Sequence, residues 1–393
     1  MQSRRRAEPR GELLKAVGLI KSILSKWKII LSCLLAAVLL YGLAVYSHIP
    51  FIEKWRAIYI ETAMYTMRHQ WLATAFIPQS VIDEVMEESR RQMEENVVDS
   101  SQLLDIAQNQ PEIDLEQDAK KRFAETYYEL NVDTMPEDTD YTQDIQLSDA
   151  VDLGIKTRVG DSVWAVDTVN RLLIIQVSGE GYTGKLAIIK DSSRVKLAVN
   201  QRKGAGMSVT ELCEAYGAVI GINGNAFEDQ DGVGSGASAV GLMISEGRFV
   251  HSAYSAYSYQ TAGFDYEDRF RVGKNVDTSE LRDALQFYPI TVLDGEKHTT
   301  GSFGLGIQPR SSIGQTVDGS TLMLVIDGRQ VGYSLGTTVS ECADILLRYH
   351  CQNAMNLDGG SSASMSYMGE MITRTSSPRT TGRLLPSAWV AVP

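Results

Sequence analysis

The chain has 393 residues, with 49 Asp/Glu against 37 Lys/Arg and a net charge of −12. That balance gives no basic stripe for nucleic acid, and a hydrophobic content of 44% excludes a wholly disordered chain. Five histidines with no ligand-like spacing, and four cysteines without a Cys-x-x-Cys, give no metal-site pattern.

Residues 1–28 read as a basic cytoplasmic tail, with eight Lys/Arg against Glu8 and Glu12. Residues 29–46 are 18 uncharged, mostly apolar residues. At about 1.5 Å per residue such a helix spans roughly 27 Å, close to a bilayer core of about 30 Å. The preceding positive charge keeps the N-terminus in the cytoplasm and sends the rest across the membrane. A cleaved signal peptide is the competing reading. The long basic region and the lack of an Ala-x-Ala site favour an uncleaved signal anchor in the cell membrane.

Residues 47–80 form a juxtamembrane segment in which Trp55, Tyr59, Tyr65, Trp71 and Phe76 alternate with charges. It either lies on the outer membrane surface or packs on the following domain. Residues 81–150 carry 20 Asp/Glu against 5 Lys/Arg, a net of −15. Helices over 81–107 and 115–130 followed by a looser stretch predict an acidic helical stalk, a spacer.

From residue 151 to 393 short apolar runs alternate with Gly, Ser and Asp. Runs at 171–177, 184–191, 194–199, 241–250, 288–293 and 321–328 read as strands. Strands outnumber helices, so the predicted class is α+β, a strand-rich mixed-sheet domain with flanking helices. Cys33 falls in the span. Cys213, Cys342 and Cys351 allow at most one disulfide, conceivably Cys213 with Cys342, though buried thiols fit better.

Two segments repeat one design. Ser208-Val209-Thr210-Glu211 and Thr338-Val339-Ser340-Glu341 both carry a capping box. Each opens a helix followed by a short apolar strand, ending at Asn223-Gly224-Asn225 in one case and at Asp358-Gly359-Gly360 in the other. This predicts that Asn223 and Asp358 meet at strand ends facing one cleft. Gly359 and Gly360 let a ligand approach the backbone, while freed amides and the Ser361 and Ser362 hydroxyls suit an anion.

The runs at 218–227 (AVIGINGNAF), 308–315 (QPRSSIGQ), 324–330 (LVIDGRQ) and 353–365 (NAMNLDGGSSASM) resemble, in order and spacing, signatures of the phosphodiester glycosidase family. The resemblance covers roughly 151–393. Asn225 and Ala226 replace the usual third and fourth residues of the first signature, and the last glycine run has two members rather than three. The resemblance implies a hydrolase that breaks the bond between a sugar's anomeric carbon and a phosphate oxygen. Its substrates would be sugar phosphodiesters on envelope glycans or polymers outside the cytoplasm, and no cofactor is implied.

Such a reaction needs charge neutralisation at phosphate and a base or nucleophile at the sugar. Arg310 suits phosphate because a guanidinium binds its oxygens in pairs. Asp358 is the expected catalytic carboxylate, with Asp327 as the second and Asn223 as a hydrogen-bond partner. Gly224, Gly359, Gly360, Ser361, Ser362 and Arg329 complete the expected substrate-binding set. His251 and His298 are weaker candidates. Asp229 and Asp231, in a Gly-rich loop over 228–236, could bind Ca²⁺, but a lid fits better. An alternative is a non-catalytic glycan-binding or exopolysaccharide-assembly module using the same cleft. Attack at phosphorus is a third reading, disfavoured by the lack of a metal-ligand cluster.

Overall fold

The computed structural model describes residues 10–66, 68–100, 118–149, 153–229, 234–252 and 259–393. Residue contacts divide the chain into two compact units, Met1–Ala57 and Ile58–Pro393. The first contains the helix Arg10–Tyr46. Within it Lys26–Tyr46 is long and apolar enough to cross a membrane, with a mean hydropathy of 2.5 and only 6% of its most apolar window buried.

The second unit is built on three sheets of nine, five and five strands. Among the described residues every strand ladder is antiparallel, rather than mixed as expected. The central strands of the large sheet, Leu172–Gly179, Tyr182–Ile189 and Thr321–Ile326, are apolar on both faces because both faces are covered. Leu172, Ile174, Ala187, Ile189, Met323 and Val325 join the core shared with the two smaller sheets. Their alternates Leu173, Ile175, Leu186, Ile188, Leu322 and Leu324 face the opposite core under the helix Val339–Leu347.

That opposite core also holds Phe123, Tyr127, Leu130 and Ile145. The described part of the acidic segment, expected as a stalk, thus folds onto the sheet and adds an edge strand, Gln146–Leu147, paired with Val166 and Asp167. Lys190 and Glu129 lock it there through a 2.6 Å ion pair whose side chains are 4% and 2% exposed. Breaking such a pair leaves a bare buried charge, typically a loss of about 3–5 kcal/mol. Part of the expected helix 81–107 lies outside the described residues, and the helix that is described ends at Glu95.

Residues from Ile58 onward likewise belong to the domain's unit, and part of the juxtamembrane segment packs there. In the helix Pro50–Met64, Ile58, Ile60, Glu61 and Ala63 are buried. Asn96 is a second tether. Its Nδ2 donates to the carbonyls of Ile290 and His298, and its Oδ1 accepts from the Ile290 amide at 3.0 Å.

Candidate active site

Antiparallel pairing brings three chain segments to one end of the large sheet. Arg310–Thr316 lies between Thr321–Ile326 and Cys351–Asn356, with Arg310 opposite Ile326 and Ser312 opposite Asn356. The start of the first strand therefore adjoins the exits of the other two, where Asp327 and Asp358 follow. The turn after Asn356 hangs from the Pro309–Ser311 backbone. Leu357 N donates to Ser311 O at 2.8 Å, and Gly360 N donates to Pro309 O at 2.9 Å. Gly360 has φ +59°, and a Cβ there would stand 3.0 Å from Arg329 Nη2, so glycine serves both conformation and clearance.

Both predicted capping boxes form. The strand Ile220–Asn223 sits in a different sheet, yet its end meets the Asp358 turn. Asn223 Nδ2 donates to Asp358 O at 2.6 Å, and its Oδ1 accepts from Ser311 Oγ and Ser364 N. The two turns do come together, but Asn223 is fully buried and its amide is spent on protein partners. It positions Asp358 from beneath and does not face a ligand. Gly224 is also buried, its amide donating to Ser387 O, and a Cβ would collide with the Ser387 hydroxyl. Its place is a close strand contact, a correction to its expected role in binding.

A cavity of about 940 Å³ opens over the Asp358 turn. Asp358, Gly359, Gly360, Ser361, Ser362, Arg310 and Arg329 all line it. Asp327 does not. Its Oδ2 accepts from Tyr333 Oη at 2.8 Å and its Oδ1 from the Arg374 amide at 3.0 Å. It therefore ties down the turn that carries Arg329 and the chain leading to Thr375, a positioning role rather than the expected second carboxylate. The second carboxylate at the cavity is Asp229. It accepts from Arg383 Nη2 at 2.7 Å and from the Gly234 amide at 2.6 Å, while its loop neighbour Asp231 lies outside the described residues.

Arg383 was missed by sequence reasoning, because a lone Gly-Arg pair carries no motif. It connects Asp229 to Ser361 Oγ, 3.3 Å from its Nη1, and lies over the Phe227 ring at 5.0 Å. Gln308 stood inside a recognised signature without being singled out. Its Oε1 accepts from Arg329 Nε at 3.0 Å and Nη2 at 2.5 Å, and its Nε2 donates to Thr62 O at 3.1 Å. Arg310 is buried, giving Nε to Thr337 O and Nη2 to Leu305 O and Gly306 O. Glu61 is buried on the helix Pro50–Met64; burial pushes its carboxyl up, opposed by Ser302, the Gly306 amide and the charge of Arg310. The expected candidates His251 and His298 are not among the cavity residues.

The electrostatics favour an anion. Among the described lining residues, Arg68, Arg310, Arg329 and Arg383 face only Asp229 and Asp358. Burial pushes the Asp358 carboxyl up to about 6, against the Ser362 hydroxyl, Arg383 and the Gly359 amide, which favour the anion. Asp229 adds to the upward shift. Burial likewise holds Asp327 at about 6 and brings Arg310 down to about 10. A carboxylate poised near neutral pH beside arginines can accept a proton from water while an anionic group is held. Tyr259, Phe287 and Tyr288 also line the cavity with ring centroids 5.0–5.5 Å apart, Phe287 and Tyr288 stacked and Tyr259 tilted against both, an aromatic wall. Among the described residues no cluster of His, Cys, Asp and Glu could hold a metal ion. Cys213, Cys342 and Cys351 are buried free thiols.

Residues 216–392 match the family described as phosphodiester glycosidase. The chain is 27% identical over 183 residues to the SPbeta prophage-derived uncharacterized protein YomE of Bacillus subtilis strain 168; this is 43% of the chain and about a quarter of that relative. Among solved structures, the auto-inhibited catalytic domain of zebrafish N-acetylglucosamine-1-phosphodiester alpha-N-acetylglucosaminidase aligns at TM-score 0.46 and 17% identity, covering 56% of this chain and 82% of that one. A hypothetical protein from Synechocystis aligns at TM-score 0.41 and 13% identity, covering 56% and 61%. An exported protein of Burkholderia pseudomallei aligns at TM-score 0.39 and 15% identity, covering 54% and 74%. Likeness of that degree bears on neither activity nor substrate. Over its C-terminal part, residues 216–392, this chain is thus similar to the phosphodiester glycosidase family, a family of glycosidase-type hydrolases.

Proposed function

We propose that this protein hydrolyses sugar 1-phosphodiesters outside the cytoplasm while anchored by the apolar helix near its N-terminus. The observation that carries the reading is Asp358, a carboxyl poised near neutrality in an arginine-lined cavity, inside a matching family domain. The C1–O bond to phosphate breaks, a new C1–OH bond forms from water, and the phosphate monoester leaves with the bonding electrons. Because that leaving group is already a stable anion, it needs charge neutralisation more than a proton. Arg329 and Arg310 are the groups for that task. Asp358 takes the proton from water and Asp229 lies beside it, while Ser361 and Ser362 donate hydrogen bonds. Nothing next to either serine would activate it as a nucleophile.

Hydrolysis of a sugar 1-phosphodiester in ¹⁸O-labelled water tests the reading. The label is expected in the released sugar. Label in phosphate would assign attack at phosphorus. Binding of the probe without turnover would instead assign a glycan-binding module.

A further inference from the structure

The cavity's rim is not built by the family domain alone. Tyr65, Thr66, Arg68 and His69, which follow the helix Pro50–Met64, also line it. This rim is fixed rather than loosely apposed. Thr62 Oγ1 accepts from the Ile307 amide at 3.0 Å, and Thr62 O accepts from Gln308 Nε2. Gly306, at φ +59°, passes so close to the Thr62 backbone that a Cβ would stand 2.5 Å from Thr62 N.

Immediately after the rim, the short helix Trp71–Thr74 buries Ala73 and turns its aromatic neighbours outward. Trp71 is 56% exposed, Phe76 59% and Tyr59 44%, with Tyr59 Oη donating to Leu72 O at 2.7 Å. Arg68 is exposed and makes no hydrogen bond or ion pair among the described residues, unlike the other three arginines of the cavity. Aromatic side chains left in water cost free energy, and Trp and Tyr beside a cation fit the headgroup level of a bilayer. The chain also carries a helix suited to crossing a membrane, so a lipid surface is the occupant at hand.

We propose that the Trp71–Phe76 segment seats the cavity mouth on the lipid surface, so that the alcohol esterified to the sugar phosphate is itself a membrane lipid. This names the substrate class of the proposed activity and rests on that reading. In hydrolysis the sugar departs into water with the oxygen of the attacking water, and the lipid phosphate monoester stays in the membrane. Arg68 faces lipid phosphates at the mouth.

The full chain in phosphatidylethanolamine–phosphatidylglycerol vesicles is tested with two probes, one sugar 1-phosphate esterified to a long polyprenol and the same sugar phosphate esterified to a short water-soluble alcohol. The wild type is expected to favour the polyprenyl probe in kcat/KM by about tenfold or more, and Trp71→Ser with Phe76→Ser to bring that ratio towards one. Arg68→Glu is expected to lower the ratio more in these vesicles than in phosphatidylcholine. Equal rates on both probes, or a ratio that the variants leave unmoved, overturn the proposal. If neither probe is hydrolysed, the glycosidase reading fails by itself. The membrane seat is then read as the part of the brominated-lipid quenching that Trp71→Phe removes in a chain carrying Trp27→Phe and Trp55→Phe, where Trp164 and Trp389 also emit. Quenching supports the seat, and its absence overturns it.

Discussion

The turns at Asn223 and Asp358 start from the same local design and end in opposite roles. Each follows a capping-box helix and a short buried strand. Asn223, Gly224 and Asn225 are folded under, and every polar atom of the Asn223 amide meets protein. Asp358 to Ser362 lies open to the cavity. What separates them is the neighbour each strand end receives. Asn223 is sandwiched between strands of its own sheet and beneath the Asp358 turn, whereas Asp358 emerges where the sheet ends. A repeated sequence pattern fixes where a side chain is delivered, and the packing around it decides whether it supports or acts.

The sharpest way to break this contrast is Asp358→Asn, expected to lower kcat by about 10²–10⁴-fold while far-UV circular dichroism stays native. Near-normal turnover would move Asp358 out of the chemistry. Arg329→Ala comes next, with a loss of about 10²-fold in kcat/KM, since it removes a donor aimed at developing charge. The free-enzyme pH profile should show this carboxylate directly, with kcat/KM rising through about pH 6 as Asp358 ionises.

On the supporting side, Asn223→Ala is expected to destabilise the fold by about 1–3 kcal/mol, because it strands Ser311 and the Asp358 carbonyl. Its signature is a lower Tm, measured by calorimetry, with a smaller relative loss in kcat than Asp358→Asn shows. If Asn223→Ala kept full stability and lost only turnover, the division of roles would be reversed. The smallest effect concerns linkage. A carboxyl whose folded pKa is raised binds its proton more tightly when folded, so its contribution to stability is fullest at low pH. That contribution is lost as pH rises from the ordinary carboxylate range through about 6. At pH 7.5, Asp358→Asn should therefore raise Tm slightly, worth on the order of 1–2 kcal/mol. An unchanged or lower Tm would contradict the half-buried, proton-retaining carboxyl described above.

The strands of the large sheet were legible because doubly covered strands are continuous apolar runs, and Leu172 to Val177 is such a run. The capped helices were legible because capping boxes are local. The Asp358 turn, Arg310 and Arg329 were legible through glycine placement and ordered signatures. The partners that complete the site were not. Arg383 reaches Asp229 across 154 residues, and Thr62 reaches Gln308 across 246. No local pattern encodes such a pairing. Asp327 misled for a related reason. Its strand-end setting matches that of Asp358, and only its bonds to the Tyr333 hydroxyl and the more distant Arg374 amide reveal that it faces away. The acidic segment misled because net charge says nothing of the few apolar residues, Phe123, Tyr127 and Leu130, that dock it.

The amide of Gln308 links Thr62 to Arg329 and so joins two stretches of chain of different standing, one within the matched family domain and one far upstream of it. Severing the backbone before Ile58 would leave that bridge whole, with the cavity's lining residues still on one piece. Severing it beyond Val98 would leave the upstream abutment held only by non-covalent contacts such as those of Thr62 and Asn96. A break in the chain thus has two physically distinct outcomes, decided only by where the cut falls.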